Sequence, residues 1–387
     1  MTTTDKVESS QPDNTLAAVL DRHTVAGKLW RAEQEKIRCV ACGHRCLIAP
    51  GRRGVCRVRF NRDGELRVPF GYVAGVACDP VEKKPFFHVY PGSDALTFGM
   101  LGCDFHCSYC QNWVTSQALR DQAAAASVRP ATPAQLVASA RREGARVVVS
   151  SYNEPLITAE WAVAVFEAAK AEGFACAFVS NGNATPEALD FLQPWIVGYK
   201  VDLKGFDERR YRTLGGALEH VTETIKMVHA RGIWIEVVTL LVPGFNDDEA
   251  ELRELVRFLA SVSREIPWHV TAFHPDYKMT DPRPTQVADL MRAAELGREA
   301  GLRFVYAGNL PGRVGEWENT RCPHCGETVI ERYGFTVRAY NLTPSGTCPR
   351  CQAAIPGIWP KAGAAEVRAM AHPNRWSQRL PHGVSLQ

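Results

Sequence analysis

Gly102-Cys103-Asp104-Phe105-His106-Cys107-Ser108-Tyr109-Cys110 sets three cysteines at a C-x3-C-x2-C spacing. Three thiolates hold three irons of a four-iron cube and leave the fourth bare, whereas a full structural set supplies four. A closed cluster carries electrons or holds the fold; an open iron can also bind a second cofactor. The plain alternative is three buried or zinc-bound thiols. Just upstream, Phe98-Gly99-Met100-Leu101-Gly102 reads as a strand running into a glycine turn, which presents all three cysteines at a strand end and favours the cluster.

Outward from this stretch, the chain alternates strand and helix. Short apolar runs lie at 95–100, 146–150, 175–180, 196–201, 234–241, 269–273 and 303–306. Helical patterns separate them at 132–142, ending at Gly144, at 160–171, ending at Gly173, and at 248–262, which opens with an Asp-Asp-Glu first turn suited to the helix dipole. Such alternation predicts an α/β fold with a parallel sheet. Six or seven units fit a TIM-like (β/α) barrel that is incomplete, with its functional groups at the C-terminal ends of the strands.

The other predicted strand ends are polar. They carry Tyr152-Asn153-Glu154-Pro155, Asn181-Gly182-Asn183, Asp202-Leu203-Lys204 and Phe273-His274-Pro275. Each alone reads as an ordinary helix-capping loop. Their coincidence around one barrel mouth, beside the cysteine triplet, points to a site.

All of the thirteen cysteines except Cys78 and Cys176 fall in three sets with metal-ligand spacing, unlike a disulfide framework. The early set, Cys39, Cys42, Cys46 and Cys56, makes a four-cysteine knuckle. Structural zinc is its first reading and an auxiliary iron–sulfur cluster its second, because thiolate sets suit both; His44 between them reads as a substitute ligand or a residue behind the ligands. The late set, Cys322, Cys325, Cys348 and Cys351, pairs two C-x2-C units across strand-like residues and reads as a zinc ribbon. Ribbons act as staples or as docks for protein or nucleic acid, and spacing does not choose. Asp79-Pro80-Val81-Glu82-Lys83-Lys84-Pro85 reads first as a charged turn. His88 reads as a structural histidine.

A chain of 387 residues, 45% hydrophobic, fits one large domain with small additions. The expected division is a disordered N-terminus at 1–15, a helix and Cys-rich metal-binding segment at 16–92, the barrel at 93–318, the ribbon at 319–359 and a loose tail at 360–387. The ribbon, which follows the last barrel strand, is expected to be separable from it. A formal net charge of +3 is too mild to imply a polyanion, so nucleic acid is not implied. There is no apolar leader or membrane-length run, which predicts a soluble, cytoplasmic protein without a membrane partner.

The triplet, with Tyr109 before its last cysteine, resembles the signature of the radical S-adenosylmethionine (radical SAM) superfamily. The resemblance implies a [4Fe-4S] cluster on Cys103, Cys107 and Cys110 as the catalytic centre. It also implies S-adenosylmethionine (SAM) on the open iron and a 5′-deoxyadenosyl radical that abstracts hydrogen from a substrate. Tyr-Asn-Glu-Pro looks like the family's acidic motif, so Glu154 would meet the SAM amine. Ser-Asn-Gly and Asp-Leu-Lys look like its next polar motifs, so Asn181, Asp202 and Lys204, with Tyr109, would bind the rest of SAM. Asn153 and His274 are candidates on the substrate side. The set formed by the early cysteine block, Asp79–Pro85, Gln111-Asn112, Tyr306-Ala-Gly-Asn309 and the ribbon is similar to the AmmeMemoRadiSam system radical SAM enzyme, over about 16–359. That implies Memo-like and AMMECR-type partners, and a one-electron donor such as flavodoxin or ferredoxin. Asp-Leu-Lys is also similar to activating enzymes of glycyl-radical proteins, although here the extra cysteine block precedes the triplet. A third reading is an RNA- or protein-binding factor on an inactive barrel.

Overall fold

Val147–Ser150 is buried at every residue, as a strand covered on both faces must be. In the computed structural model, which describes residues 15–124, 126–361 and 386, it lies inside an eight-stranded sheet. The strands are β1 (Gly75–Pro80), β2 (Asp94–Gly99), β3 (Val147–Ser150), β4 (Ala175–Ser180), β5 (Gly198–Asp202), β6 (Trp234–Leu241), β7 (Trp268–Ala272) and β8 (Val305–Gly308). They neighbour one another in sequence order. β1 pairs antiparallel with β2, with Cys78 opposite Leu96. Every later pair is parallel, as in Val147 opposite Ala95 and Val201 opposite Val237. The fold is therefore α/β with a mostly parallel central sheet. Its two edge strands are not hydrogen-bonded to each other, so the sheet is an open one.

Helices return the chain between parallel strands, and local chemistry sets their ends. Thr132 caps Pro133–Glu143 by accepting from the Gln135 N–H while the Gln135 side chain returns to Thr132, a capping box, and Gly144 stops the helix at φ 70°. Asp248 caps Glu249–Val262. The strand Gly75–Pro80 departs from the sequence reading, which took Asp79 to Pro85 for a turn. Pro80 sits at the last position of an edge strand, where its missing N–H breaks no ladder. Only Val81–Lys83 turns, as one 3-10 turn.

The N-terminal segment forms two small antiparallel sheets, 24–26 with 65–69 and 60–62, and 30–33 with 36–39 and 47–48. A buried ion pair fixes it to the barrel: Arg59 donates to Glu160 at 2.7 and 2.8 Å. Glu160 also accepts from the Lys28 and Leu29 N–H groups, so its lone pairs are satisfied inside the protein.

The cysteine-rich C-terminal unit is a three-stranded antiparallel sheet, β9 (Thr320–Arg321), β10 (Thr328–Tyr333) and β11 (Thr336–Tyr340). It packs against the barrel through a buried seam. Arg332 is wholly buried 3.6 Å from Glu82, donates to the Phe87 carbonyl at 2.8 Å and lies 4.2 Å from the Phe87 ring centroid. His88 joins the same seam. Its Nδ1 lies 2.6 Å from the Pro356 carbonyl and its Nε2 2.6 Å from the Tyr306 hydroxyl. Tyr306 in turn meets Thr320 at 2.9 Å. A carbonyl only accepts, so Nδ1 carries the proton and Nε2 accepts from Tyr306. Among the described residues no helix is long and apolar enough to cross a membrane. All but Thr15 of the N-terminus expected to be disordered at 1–15, and most of the tail at 360–387, lie outside the described residues.

Candidate active site

Residues that follow β1 and residues from the C-terminal ends of β2 to β8 line one cavity of about 730 Å³, so the open sheet curls around it. Cys103, Cys107 and Cys110 reach this cavity from the loop after β2. Gly102 makes the turn at φ 98°, and a Cβ there would meet Val58 at 2.9 Å, so both backbone and space require glycine. The Phe105 N–H points at the Cys103 sulfur at 3.3 Å. Ser116 lies 3.2 Å from the Cys110 sulfur. Burial pushes all three thiols up, Cys107 to about 12.

Glu154 leaves the end of β3 and is buried. Its Oε1 accepts from the Leu156 N–H at 3.0 Å and the Ser180 hydroxyl at 2.8 Å, and its Oε2 from the Asn181 N–H at 2.7 Å. Burial, then the nearby Asp104 carboxylate, raises it to about 8. Asp104 is fully buried beside Cys103, holding the amides of Asn181 at 2.7 Å and Asn183 at 2.8 Å. Glu154 lines the cavity and Asp104 is buried behind it beside Cys103, so a cationic group is favoured at this corner, where its charge would draw Glu154 into the carboxylate form.

On β5, Asp202 bonds Lys200 on one oxygen and Lys204 at 3.3 Å on the other. Burial pushes its carboxyl up, but the two ammonium groups outweigh it and hold it at about 2. Desolvation lowers Lys200. Tyr109 packs edge-on against Phe245, with centroids 5.6 Å apart; its hydroxyl is buried with no hydrogen-bond partner among the described residues.

The cavity thus brings together every residue expected around the triplet: Tyr109, Asn153, Glu154, Asn181, Asp202, Lys204 and His274. Two of them are partly committed elsewhere. Asn153 accepts from the Met100 N–H at 3.0 Å, and the Asn181 amide serves Asp104. His274 is exposed, 2.9 Å from the Gln111 amide nitrogen. Sequence reading overlooked Asp104 and Lys200. Lys200 lies two residues before Asp202 on one strand, a spacing that puts both on one face. Lys83 and Lys84, read first as part of a turn, line the cavity too, both bonded to Asp79 at 3.2 and 3.0 Å.

The donor set fits the implied cofactors. Three thiols on one loop stand beside an acidic corner, a pair of lysines around one aspartate and an orphaned buried hydroxyl, which together offer partners to a zwitterionic, hydroxyl-bearing ligand next to an open iron. The ribbon set, Cys322, Cys325, Cys348 and Cys351, has its sulfurs all within 4.8 Å of one another, close enough to share one tetrahedral ion. In the early set the Cys39 N–H donates to the Cys46 carbonyl at 3.0 Å and the Val55 N–H points at the Cys46 sulfur at 3.4 Å, but among the described residues its sulfurs do not gather as those of the ribbon do. His44 turns toward Asp104, 3.9 Å away.

Residues 98–259 match the Radical SAM superfamily. The uncharacterized protein MJ0808 of Methanocaldococcus jannaschii is 38% identical over 314 residues, covering 81% of this chain and 92% of that protein. The pyruvate formate-lyase-activating enzyme of Staphylococcus epidermidis is 28% identical over 48% of this chain and 76% of its own. Among solved structures, a radical SAM methyltransferase from Sphaerobacter thermophilus aligns over 74% of this chain and 78% of its own, at 16% identity and a TM-score of 0.45.

Proposed function

Because the chain belongs to the radical SAM superfamily, we propose that Cys103, Cys107 and Cys110 hold a [4Fe-4S] cluster and that Glu154, Asn181, Asp202, Lys204 and Tyr109 seat SAM against it. Bound there, cluster and cofactor supply reductive cleavage of SAM to a 5′-deoxyadenosyl radical, which abstracts hydrogen from a substrate. The observation that carries this reading is the convergence of the triplet and these polar residues on one cavity at the C-terminal strand ends.

The protein's own work is binding, orientation and exclusion of water. Glu154 and Asp104 favour the methionyl ammonium, and the bonds Glu154 makes to Leu156, Ser180 and Asn181 fix its carboxylate before SAM arrives. Lys200 and Lys204 outnumber Asp202, which leaves one ammonium to meet a carboxylate or a ribose hydroxyl. Asn153 and His274 stand on the substrate side. The ribbon sulfurs hold zinc, and the early cysteine set holds zinc or a second cluster.

The early cysteine block, the Asp79–Pro85 segment and the ribbon support a place in the AmmeMemoRadiSam system, with Memo-like and AMMECR-type proteins as partners and a flavodoxin or ferredoxin as electron source. A second reading, activation of a glycyl-radical protein, is favoured by the Asp202-Leu203-Lys204 motif and by the activating enzymes among the relatives. Anaerobic reconstitution tests the shared chemistry: the wild type is expected to bind iron at the triplet and, once reduced, to release 5′-deoxyadenosine and methionine. SAM cleavage by the Cys103/Cys107/Cys110 triple alanine variant would sink the reading. Deuterium transfer from a labelled cell extract then separates a small molecule from a glycyl-radical protein.

A further inference from the structure

A second hollow, of about 740 Å³, opens on the surface and is lined by Arg52, Arg53, Arg57, Arg120, His106 and Val55. It shares no lining residue with the barrel cavity. Among the described residues, no carboxylate lines it. Arg53 meets Asp21 at 2.6 Å, while Arg57 donates to the Leu119 carbonyl at 2.6 Å and Arg120 to the carbonyls of Cys103 and Val55. Carbonyl partners fix a guanidinium without cancelling its charge. In a chain whose formal net charge is only +3, this is a strong local positive field. Val55, 47% exposed, gives it an apolar centre.

Its position supplies the function. Arg120 spans from Val55 on the surface loop, at 2.7 Å, to the carbonyl of Cys103, at 2.6 Å. One side chain therefore links the hollow to the backbone of the residue that carries the first thiol of the triplet, and Cys56 of the early set lies within the same loop.

We propose that this hollow docks a protein electron carrier with an acidic face, which delivers one electron to the metal centre behind it; the inference rests on the SAM-cleaving reading above. The carrier loses one electron, as when a flavin hydroquinone anion becomes the neutral semiquinone, and the cluster gains it; no bond is made or broken outside the carrier. A nucleic acid also seeks arginines, but it needs an extended basic track with aromatic faces for its bases, and the hollow is short and carries no Phe, Tyr or Trp among its described lining residues.

The test uses the full chain and a flavodoxin as probe. Flavodoxin binding to the wild type, followed by flavin fluorescence, is expected to weaken steeply with salt. Arg52→Glu and Arg57→Glu are each expected to weaken it about tenfold or more and to slow flavodoxin-driven 5′-deoxyadenosine formation to match, with dithionite-driven formation within about twofold of wild type. Arg52→Gln, on an exposed side chain, repeats the measurement without charge reversal and is expected to fall between. Wild-type flavodoxin affinity in the charge-reversed variants overturns the proposal, as does tighter binding of single-stranded RNA than of flavodoxin at equal salt. If the wild type fails to cleave SAM even with dithionite, the SAM reading falls, and the salt-dependent binding arm still decides the surface.

Discussion

Asn181 and Asp104 are bonded across the barrel mouth, amide to carboxylate at 2.7 Å, although 77 residues separate them. Asp104 is fully buried and follows the first cysteine of the triplet, so the loop after β4 braces the loop that carries the thiols. A buried carboxylate stripped of a donor costs about 1–3 kcal/mol. Asn181→Ala is therefore expected to lower unfolding stability by that amount in anaerobic urea titrations. In Asp104→Ala/Asn181→Ala the combined loss is expected to fall short of the sum of the single losses, because the orphaned acceptor is gone. Simple additivity would refute the brace.

Glu154→Gln keeps the shape of the side chain and removes its charge. Hydrogen bonds to charged groups contribute roughly 1.5–3 kcal/mol, so SAM affinity is expected to fall by about tenfold or more, with iron content unchanged. Equilibrium dialysis against SAM with parallel iron analysis reads both. Unchanged affinity would place the ammonium elsewhere.

Arg332 lies between Glu82 and Phe87 with no exposed surface on either charged side chain of the pair. Removing one partner of a buried pair strands the other charge, at about 3–5 kcal/mol. Arg332→Leu is expected to show a loss of this order in urea denaturation, and adding Glu82→Gln is expected to recover a large part of it. Cys348→Ser, which removes a sulfur from the ribbon set, is expected to lower bound zinc by about one equivalent. It should also destabilise the whole chain, because the ribbon carries Arg332 into the seam. A Cys348→Ser protein with wild-type stability would show that the ribbon is an independent staple.

His88 is buried and its pKa is depressed to about 4, first by desolvation. The unfolded chain takes up the proton near pH 6.5 and the native protein only near 4, so between these values the unfolded state binds more protons. Stability from this site is full above about pH 6.5 and is lost as pH falls toward 4, on the order of 3 kcal/mol in all. His88→Gln is expected to be less stable at pH 7, since it disturbs the bonds to Tyr306 and Pro356. Its stability should also fall less between pH 7 and 4.5 than that of the wild type. Parallel slopes in the two proteins would mean that other groups set the acid limb.

The frame of the barrel was legible because it is written locally. Ala175–Ser180 and Trp234–Leu241 were read at their observed limits, and Thr132 and Asp248 announced the helices they cap. β1 was not legible: Asp79-Pro80 at its end looks like turn chemistry, and only its partner Asp94–Gly99 makes it a strand. In the site, residues after strand ends were found because glycine, asparagine and proline mark those loops. Asp104 is not legible there, because its bonds to Asn181 and Asn183 are long-range and leave no period in the chain. The seam between ribbon and barrel was hidden for the same reason, since nothing near Arg332 signals Glu82, 250 positions upstream.

That seam also sets an order in time. The hairpin that brings Arg332 to the barrel and Phe335 to the cavity wall follows the eighth strand in the chain. While the protein is being synthesised, all eight strands exist before that side can be sealed. The thiol triplet and all eight strands are therefore complete before the last piece of the cavity wall arrives.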